Sequence, residues 1–382
     1  MLASKFRQRL RADLESPPDA RALGSGWLSG VIGLVASLAG FLLVIGLRYP
    51  ALLTMPELRA IQPQPWFRGV LFGILLVAFG AALLNLALRR TKILGGTALA
   101  FTLLATFLGG AGVHPAGELT GGIFLGLDWF VLNVVFTGLL FIPLERLFAR
   151  RPEQHLFRAE WREDLFYYLV SSLFVQCLSW LSFTPSRWVV AHTQWTAVRA
   201  AVGGQPVWVQ FVEIMFLTDL VQYWVHRTFH RVPALWKFHA VHHSAKSLDW
   251  MASARMHFLE IVVLRGTTVV PMTIFGFQQG PIQAYILMVY VHSTLIHANL
   301  RWNLDWLGRF LVTPRFHHWH HGVEKEAIDV NFAIHFPWLD RVFGTLHWPK
   351  GQWPAGYGVG GHPVPQGYWQ QFLYPFRRGK SG

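Results

Sequence analysis

Long runs without a charged residue limit this chain more than any other feature of its sequence. Four such runs cover residues 27–47, 69–88, 94–113 and 165–186, and a fifth, 119–144, is interrupted only by Asp128. Each reaches the roughly 20 residues that a helix needs to cross a bilayer core. Only 14% of the residues are charged and 53% are hydrophobic, whereas about a quarter are charged in soluble domains. The chain is therefore predicted to be an integral membrane protein.

The basic residues predict the orientation of these runs. They lie in alternate segments between the apolar runs, as the positive-inside rule requires of cytoplasmic loops. The first run is too long for a signal peptide and is expected to be retained. A sixth span at about 207–225 and two further apolar segments, about 258–276 and 281–299, bring the total to about six to eight membrane segments, which predicts an all-α multi-span helical bundle. The basic segments are Lys5 to Arg21, Arg89 to Lys92 and Arg146 to Arg162.

Counting spans from a cytoplasmic N-terminus places His226 and the C-terminus on the cytoplasmic side. The Arg-rich, Lys-poor composition is typical of a GC-rich bacterium, so we expect the bacterial inner membrane. We divide the chain into a cytoplasmic lead (1–25), a four-span region (26–150), a chemical domain (151–350) and an irregular Pro/Gly-rich tail (351–382).

Charge and cysteine content exclude several classes of function. The formal net charge is +13, but the basic residues form no single stripe, so nucleic acid is not an expected partner. Anionic lipid on the cytoplasmic side is a better one. The single cysteine, Cys177, lies in an apolar run, which excludes disulfides, cysteine-ligated zinc and iron–sulfur clusters within this chain.

Histidines are concentrated in the second half of the chain, where fourteen of the eighteen lie between residues 226 and 347. On a helix, residues three and four apart share one face, so each motif presents two or three imidazoles in one direction. Imidazole binds Zn, Cu, Fe and Ni, and eight or more ligands exceed the needs of one ion. Two metals are therefore predicted. The motifs are HxxxH at His226 and His230, HxxHH at His239, His242 and His243, and HxxHH at His317, His320 and His321.

Other polar residues accompany these motifs. Asp219 and Tyr223 continue the helical stripe of His226 and His230, and Asp219 is expected to orient an imidazole by accepting its N–H. His292 and His297 are five apart, roughly 140° around a helix, so both cannot point inward from a regular one. His318 breaks the pattern and is expected to be exposed.

These motifs, with the segment DVNFAIHFPWLDRVFGT that follows the last of them, resemble the fatty acid hydroxylase/sterol desaturase superfamily over residues 160–350. The resemblance implies a cytoplasmic non-haem di-iron centre, O2 as oxidant, and hydroxylation or desaturation of a lipid. It implies ligand roles for the eight motif histidines and for His297, with looser matches at His292, at His257 (where Phe258 replaces the usual proline) and at His335 of the quoted segment. Asp329 and Asn331 match a D-x-N after the last motif and are expected to support the ligands.

The resulting expectation is a membrane-bound lipid monooxygenase or desaturase with two Fe ions and Asp219, Tyr223 and Asn331 near the chemistry. The sequence has no CxxCH haem motif, no cysteine cluster and no credible nucleotide-binding motif. Electrons would therefore come from a partner such as a cytochrome b5-like protein or a ferredoxin with its reductase. Two alternatives remain open. A zinc-dependent lipid hydrolase would need neither O2 nor reductant, and a metal transporter or sensor would need ionisable residues in the first four spans, which hold only Asp128.

Overall fold

The computed structural model describes residues 2–59, 61–116, 122–193, 195–302, 304–360 and 364–377. These residues are helical or irregular, which confirms the all-α prediction. They form two compact units. The first comprises residues 1–136, 155–157 and 172–176, and the second comprises 137–154, 158–171 and 177–382.

Three long helices, α2, α5 and α6, pack together to form the core of the first unit. The side chain of Asn85 is fully buried among them and joins all three. Its amide donates to the carbonyl of Gly26 at 2.7 Å, and its oxygen accepts from the backbone N–H of Gly95 at 2.8 Å. The helices of this unit are α1 (Leu2–Leu14), α2 (Trp27–Arg48), α3 (Pro50–Leu53), α4 (Pro56–Arg59), α5 (Pro65–Leu88), α6 (Ile93–Phe107) and the first half of α7 (Leu127–Leu147).

Glycine allows this close packing. A Cβ atom at Gly95 would lie 2.5 Å from the Asn85 oxygen and 2.8 Å from the carbonyl oxygen of Ala82. Small residues that let helix backbones approach closely are the usual interface of membrane helices. Since no larger residue fits there without a shift of the backbone, Gly95 fixes the distance between α5 and α6.

Helix α11 lies at the centre of the second unit and packs against α12, α13 and α14. It ends at Arg231, directly before Pro233, whose ring cannot continue a helix. The chain turns there and starts α12, so that the histidines of both helices lie at one end of the unit. The helices of this unit are the rest of α7, then α8 (Trp161–Leu173), α9 (Val175–Ala191), α10 (Thr196–Gly203), α11 (Val207–Arg231), α12 (Pro233–His243), α13 (Phe258–Ile274), α14 (Gln279–His297), α15 (Pro314–His320), α16 (Pro337–Val342) and α17 (Tyr368–Leu373).

The count of membrane-capable helices reaches the lower end of the predicted six to eight. Four are long and apolar enough to cross a bilayer alone, and two bent pairs, α8 with α9 and α10 with α11, raise the number to six. The helices α13 and α14, predicted as a further out-and-back pair, are not among them. They are 17 and 19 residues long; α13 carries Glu260 and Arg265, and α14 carries two histidines, which lowers the hydropathy of both.

The tail is more ordered than predicted. Residues 368–373 form α17, and the side chain of Gln371 is buried, where it accepts a hydrogen bond from the Tyr167 hydroxyl at 2.7 Å. The rings of Tyr167 and Phe166 both pack on Tyr368 at 4.9 Å. Aromatic packing of this kind holds the segment in place despite the glycines and prolines before it. Residues 361–363 and 378–382 of the predicted tail lie outside the described residues.

Candidate metal centre

The structure gathers all nine histidines predicted as principal ligands into two buried groups. In each group the nitrogen atoms that could bind a metal lie within 4.8 Å of one another. The side chains come from four helices, α11, α12, α14 and α15. The first histidine group is His226, His230, His239, His243 and His320, and the second histidine group is His242, His297, His317 and His321.

Helical spacing divides each HxxHH motif between the two groups. In α12, His239 and His243 are four apart and belong to the first histidine group, whereas His242 belongs to the second. In α15 the division is reversed, because His317 and His321 enter the second group and His320 the first. Relative to the first histidine of a motif, the residues three and four along are displaced in opposite directions around the helix axis, so they can point to different groups. Each motif therefore supplies both groups.

The distances between ring nitrogens within each group are short and regular. His239 Nε2 lies 3.0 Å from His226 Nε2 and 3.1 Å from His243 Nε2. In the second histidine group, His297 Nε2 lies 3.2 Å from His242 Nε2 and 3.0 Å from His317 Nε2. An imidazole nitrogen lies about 2.0–2.1 Å from a bound zinc-sized ion, so two neighbouring ligands are separated by roughly 3 Å. The observed spacing is that of ligands around one ion.

In both groups, several of the opposite ring nitrogens have partners that fix the tautomer. His226 Nδ1 donates to the carbonyl of Phe332 at 2.9 Å, and His320 Nδ1 donates to the carbonyl of Val330 at 2.8 Å. A neutral imidazole that donates through Nδ1 has a bare lone pair on Nε2. In the second histidine group, Nδ1 of His242 donates to the carbonyl of Arg255 at 2.9 Å and Nδ1 of His297 to that of Ser293 at 2.7 Å.

Where both rings of a pair donate through Nδ1, the facing Nε2 atoms have no proton between them. His242 and His297 direct bare lone pairs at each other across 3.2 Å, and Nε2 of His230 and of His320 is buried without any hydrogen-bond partner. Burial also lowers the pKa of His320 to about 3, so its ring is neutral at pH 7. Buried polar atoms normally have partners. A cation in each group would satisfy these nitrogens, and the residues present therefore fit a two-metal centre.

Glu260 contacts the first histidine group, although no role was predicted for it from the sequence. Its buried carboxylate accepts a short hydrogen bond from His239 Nδ1, and a carboxylate in this position is the usual means of orienting a metal-binding imidazole. Glu260 lies on α13, 21 residues after its partner. The motif that carried the signal is the RMHFLE segment, in which Glu260 follows His257 by three residues.

A buried ion network supports the carbonyl that holds His242. The guanidinium of Arg255 is fully buried and donates to Asp164 at 2.6 Å. Asp164 also pairs with Arg158, and Arg158 binds both oxygens of Asp249 at 2.7 and 3.0 Å. Burying these charges is tolerable because every one of them is paired. The network fixes the position of Arg255, and through its carbonyl the tautomer of His242.

The segment after α15 supplies three partners to the first histidine group. Its carbonyls of Val330 and Phe332 accept from His320 and His226, and the Asp329 carboxylate lies 3.4 Å from His230 Nδ1. Asp329 and Asn331 both have left-handed backbone angles, with φ of 59° and 58°. Such angles are uncommon outside glycine, and Asp and Asn tolerate them best. The D-x-N pattern thus shapes the loop that holds the ligands.

The three residues predicted to be catalytic form hydrogen bonds around this loop, with groups other than the nine grouped histidines. The Asp219 carboxylate accepts the backbone N–H groups of Ile334, His335 and Phe336 at 2.7–3.2 Å, so the expected bond to an imidazole is wrong. The Tyr223 hydroxyl bonds to Thr345 at 2.7 Å. The Asn331 amide donates to the carbonyls of Phe316 and His347 at 3.0 and 2.7 Å.

Three further histidines lie outside both groups. His257 begins α13: its Nδ1 accepts from Leu259 N–H and its Nε2 donates to the carbonyl of Phe372 at 3.0 Å, so neither nitrogen is free. His292 and His335 face each other through their Nδ1 atoms at 3.3 Å. His292 then donates to the Val312 carbonyl and His335 accepts from Tyr285. Backbone and hydroxyl groups already form hydrogen bonds with ring nitrogens of these histidines that a metal would need.

His318 is buried, contrary to the expectation that it is exposed. Its Nδ1 lies 2.7 Å from the Tyr357 hydroxyl, and its ring packs on Trp353 and Tyr357 at 5.3 Å. The aromatic residues of the C-terminal segment, too distant in sequence to be anticipated, cover it.

Comparison with known proteins shows which family the region of the histidine motifs resembles. The family described as fatty acid hydroxylase matches residues 211–345, which include all nine grouped histidines. The chain is 27% identical to the ornithine lipid hydroxylase of Rhizobium tropici over 176 residues, 45% of this chain and 52% of that protein. It is 29% identical to the human alkylglycerol monooxygenase over 34% of this chain and 28% of that one.

A methylsterol monooxygenase of Arabidopsis thaliana is 28% identical over 36% of this chain and 47% of the relative. The chain thus spans about half the length, or less, of these relatives. No solved structure matches. The matched region contains the ordered histidine motifs, so residues 211–345 of this chain are similar to the fatty acid hydroxylase family.

Proposed function

We propose that the protein is a membrane-bound, O2-dependent di-iron oxidoreductase that hydroxylates or desaturates a lipid C–H bond. The observation that carries this proposal is the pair of buried all-histidine groups with their bare, facing Nε2 atoms. One Fe ion would be held by His226, His230, His239, His243 and His320, and the other by His242, His297, His317 and His321. When bound, the two ions would supply the oxidising power for a strong C–H bond.

The chain's own residues hold the site rigid and dry. The ring of Phe332 covers the first histidine group, with its centroid 5.1 Å from that of His230 and 5.6 Å from that of His226. Trp236 covers the same group from α12, at 5.0 Å from His230 and 5.4 Å from His243. Such packing excludes water from the nitrogens and leaves the carbonyl and carboxylate partners to fix their directions.

A lipid substrate is supported by the relatives and by the helices. The named relatives act on ornithine lipids, alkylglycerols and methylsterols. In this chain His226 and His230 lie in the last turns of α11 and His297 ends α14, and α11 belongs to a bent membrane-capable pair. A lipid could reach the site without leaving the bilayer.

Electrons would come from an external donor on the cytoplasmic side of a bacterial inner membrane. A cytochrome b5-like protein or a ferredoxin with its reductase would suit this role. The guanidinium groups of Arg150 and Arg151 lie over the rings of Trp353 and Tyr357, at 5.4 and 4.7 Å, and both rings contact His318 beside the second histidine group. A basic surface next to the site favours an acidic carrier.

Two alternative functions make different predictions. Histidine nitrogens also suit zinc, and a zinc hydrolase would work without O2. A metal transporter would place ligands along the first four spans. Their ionisable residue, Asp128, instead accepts the backbone N–H groups of Met55 and Trp129 at 3.2 and 2.8 Å, and both histidine groups among the described residues lie in the second unit.

Metal content tests the centre directly. Purified protein should contain close to two iron ions per chain. His320→Ala should remove one of them and His242→Ala the other, because each belongs to a different group. His192→Ala is the matched control, since this exposed histidine belongs to neither group. Unchanged metal content in both group variants would contradict the assignment.

Isotope labelling tests the chemistry. With a reductant and 18O2, a hydroxylated lipid product should carry one labelled oxygen atom, whereas a desaturated product should carry none and contain a new double bond. Omitting O2 or the reductant should stop product formation. Turnover under argon with label entering from water would instead establish the hydrolase.

A further inference from the structure

Two short segments of the second unit share a sequence pattern and a surface. The sequence WLGRF occupies 306–310 and WLDRV occupies 338–342. In each, a Trp is followed by an Arg three residues later and an apolar residue four residues later, positions that share one face of a helical turn. The first segment contains a 3-10 helix, Leu307–Arg309, and the second lies in α16.

All of these face residues are exposed. The exposed fractions are 69% for Trp306 and 68% for Phe310 in one segment, and 39% for Trp338 and 66% for Val342 in the other. The residues between them point inward, since Gly308 and Leu339 are buried. The two segments pack against each other, so the aromatic, apolar and arginine side chains form one surface. We call it the WR surface (Trp306, Arg309, Phe310, Trp338, Arg341 and Val342).

The WR surface lies beside the apolar part of α11. The ring of Trp338 stacks on Phe216 with centroids 5.7 Å apart, and the ring of Phe343 packs on Trp224 at 4.9 Å. Phe216 and Trp224 are eight residues apart, about 12 Å along the helix. The segment α16 therefore runs along α11, with Trp338 beside its apolar middle and Phe343 nearer its histidine end.

The surface of α11 itself is that of a lipid-facing helix. Trp208, Val212 and Trp224 are large apolar residues exposed on it, and α11 forms with α10 an apolar pair, bent by 119°, whose combined length is that of a membrane span. The WR surface continues this exposed apolar face. If Trp338 and Val342 faced water, water would also be in contact with the apolar middle of α11.

We infer that the WR surface inserts into the cytoplasmic leaflet below the headgroups and that Arg309 and Arg341 extend from it to bind anionic lipid phosphates. Trp prefers the membrane–water interface because its ring is apolar and its N–H is polar. Arg extends its apolar stem along such a surface and keeps its charge at headgroup level, where anionic lipid attracts basic residues. This inference does not depend on the proposed enzymatic activity.

The surface is chemically suited to lipid more than to a protein partner. Its two arginines stand between exposed Trp, Phe and Val side chains, and it adjoins the exposed apolar residues of α11. Lipid suits this mixture because the apolar side chains can enter the acyl region while the arginines reach the phosphates. Coverage by a second copy of the chain is the competing outcome that an experiment must distinguish.

Spin-label depth measurements test this inference. In a Cys177→Ala background, single cysteines at Phe310 or Val342 carry a nitroxide in phosphatidylcholine vesicles. Val212→Cys on α11 serves as the lipid reference, and Lys325→Cys, which replaces an exposed charged residue, serves as the aqueous reference. Labels at 310 and 342 should collide more with O2 than with a water-soluble nickel chelate, with ratios much nearer to that at 212 than to that at 325.

The arginines are tested by lipid composition. Adding phosphatidylglycerol should increase the O2-to-nickel collision ratio at 310 and 342, and the double variant Arg309→Gln/Arg341→Gln should abolish that increase while the label at 212 stays unchanged. Ratios at 310 and 342 equal to that at 325 would overturn the inference. Protection from both reagents together with dipolar broadening between labels would replace lipid by a second copy of the chain.

Discussion

Each imidazole of the two histidine groups has two ends with different tasks. Where Nδ1 donates to a carbonyl or a carboxylate, the ring direction is fixed and Nε2 faces the interior of the group. His239 differs from His226 and His320 because its acceptor is a carboxylate, that of the buried Glu260, and not a backbone carbonyl. A carboxylate partner at Nδ1 orients the ring and strengthens its binding to a metal.

Glu260→Gln should weaken the first metal site. Glutamine keeps the size of the side chain, but it loses the charge and can present an N–H to His239 Nδ1, which would select the wrong tautomer. Apparent affinity for iron should fall about 10–100-fold, measured by competition with chelators of graded strength. Glu326→Gln, which changes an exposed carboxylate, is the matched control. Equal affinities in the two variants would leave Glu260 with a packing role alone.

The histidine spacing predicted which residues would come together, but not how they would divide. A pair four apart must share a face, and this is why His239 and His243 enter one group. Which group His242 joins depends on a neighbouring helix. In the structure His242 faces His297 of α14 and therefore belongs to the second histidine group. Glu260 could not be assigned from spacing for the same reason, since its partner is on another helix.

The segment between α15 and α16 acts as one element although it contains no more than a short 3-10 helix, Lys325–Ala327. Its carbonyls of Val330 and Phe332 point to the histidines, and its N–H groups point to two buried carboxylates. Asp340 accepts from Phe332 N–H at 2.7 Å and Ala333 N–H at 2.9 Å, and Asp219 accepts from the next three residues. Together the two carboxylates accept the consecutive backbone N–H groups from Phe332 to Phe336.

Asp219→Asn and Asp340→Asn should therefore have similar effects. Each replaces an acceptor of several backbone bonds by an amide with one acceptor oxygen, and each buried group left unpaired costs about 1–3 kcal/mol. Both variants should lower the thermal transition of the iron-loaded protein and reduce turnover about 10–100-fold. Glu153→Gln, at an exposed carboxylate, is the control. A loss confined to Asp219→Asn would restore a direct contact of Asp219 with a ligand.

The bend between α8 and α9 shows a limit of reading elements from sequence. Residues 165–186 form one uncharged run, yet the helices meet at 64°. The break frees the carbonyl of Leu173, which accepts from Gly126 N–H at 3.3 Å. A Cβ atom at Gly126 would lie 2.4 Å from the Ser172 carbonyl oxygen, so the contact needs glycine. Since this partner lies some 46 residues away, local composition carried no sign of the bend.

At the scale of the whole molecule, contacts within each unit agree with the predicted crossing order. Arg89, in the segment after α5, donates to Asp13 of the N-terminal lead at 2.7 Å, and both segments were predicted cytoplasmic. On the other side, Ala116 donates to the carbonyl of Arg48 at 2.7 Å. In the second unit, Glu145 accepts the N–H groups of Trp250 and Asn299 at 2.8 and 2.9 Å. Uncharged runs thus predicted the four straight helices well, because crossing a bilayer demands apolar length.

Cysteine accessibility tests the orientation of the intact chain. The positive-inside pattern places the loop after α12 in the cytoplasm, and Lys246 in that loop is exposed. In a Cys177→Ala background, Lys246→Cys should resist a membrane-impermeant maleimide in intact cells and react fully once the cells are permeabilised. Gln64→Cys, exposed in the segment between α4 and α5 and predicted to lie outside, should react in both conditions. Because Lys246 follows His243 by three residues, labelling of Lys246→Cys in intact cells at the rate of Gln64→Cys would place the histidine groups on the outer face and remove the cytoplasmic electron donor from the proposal.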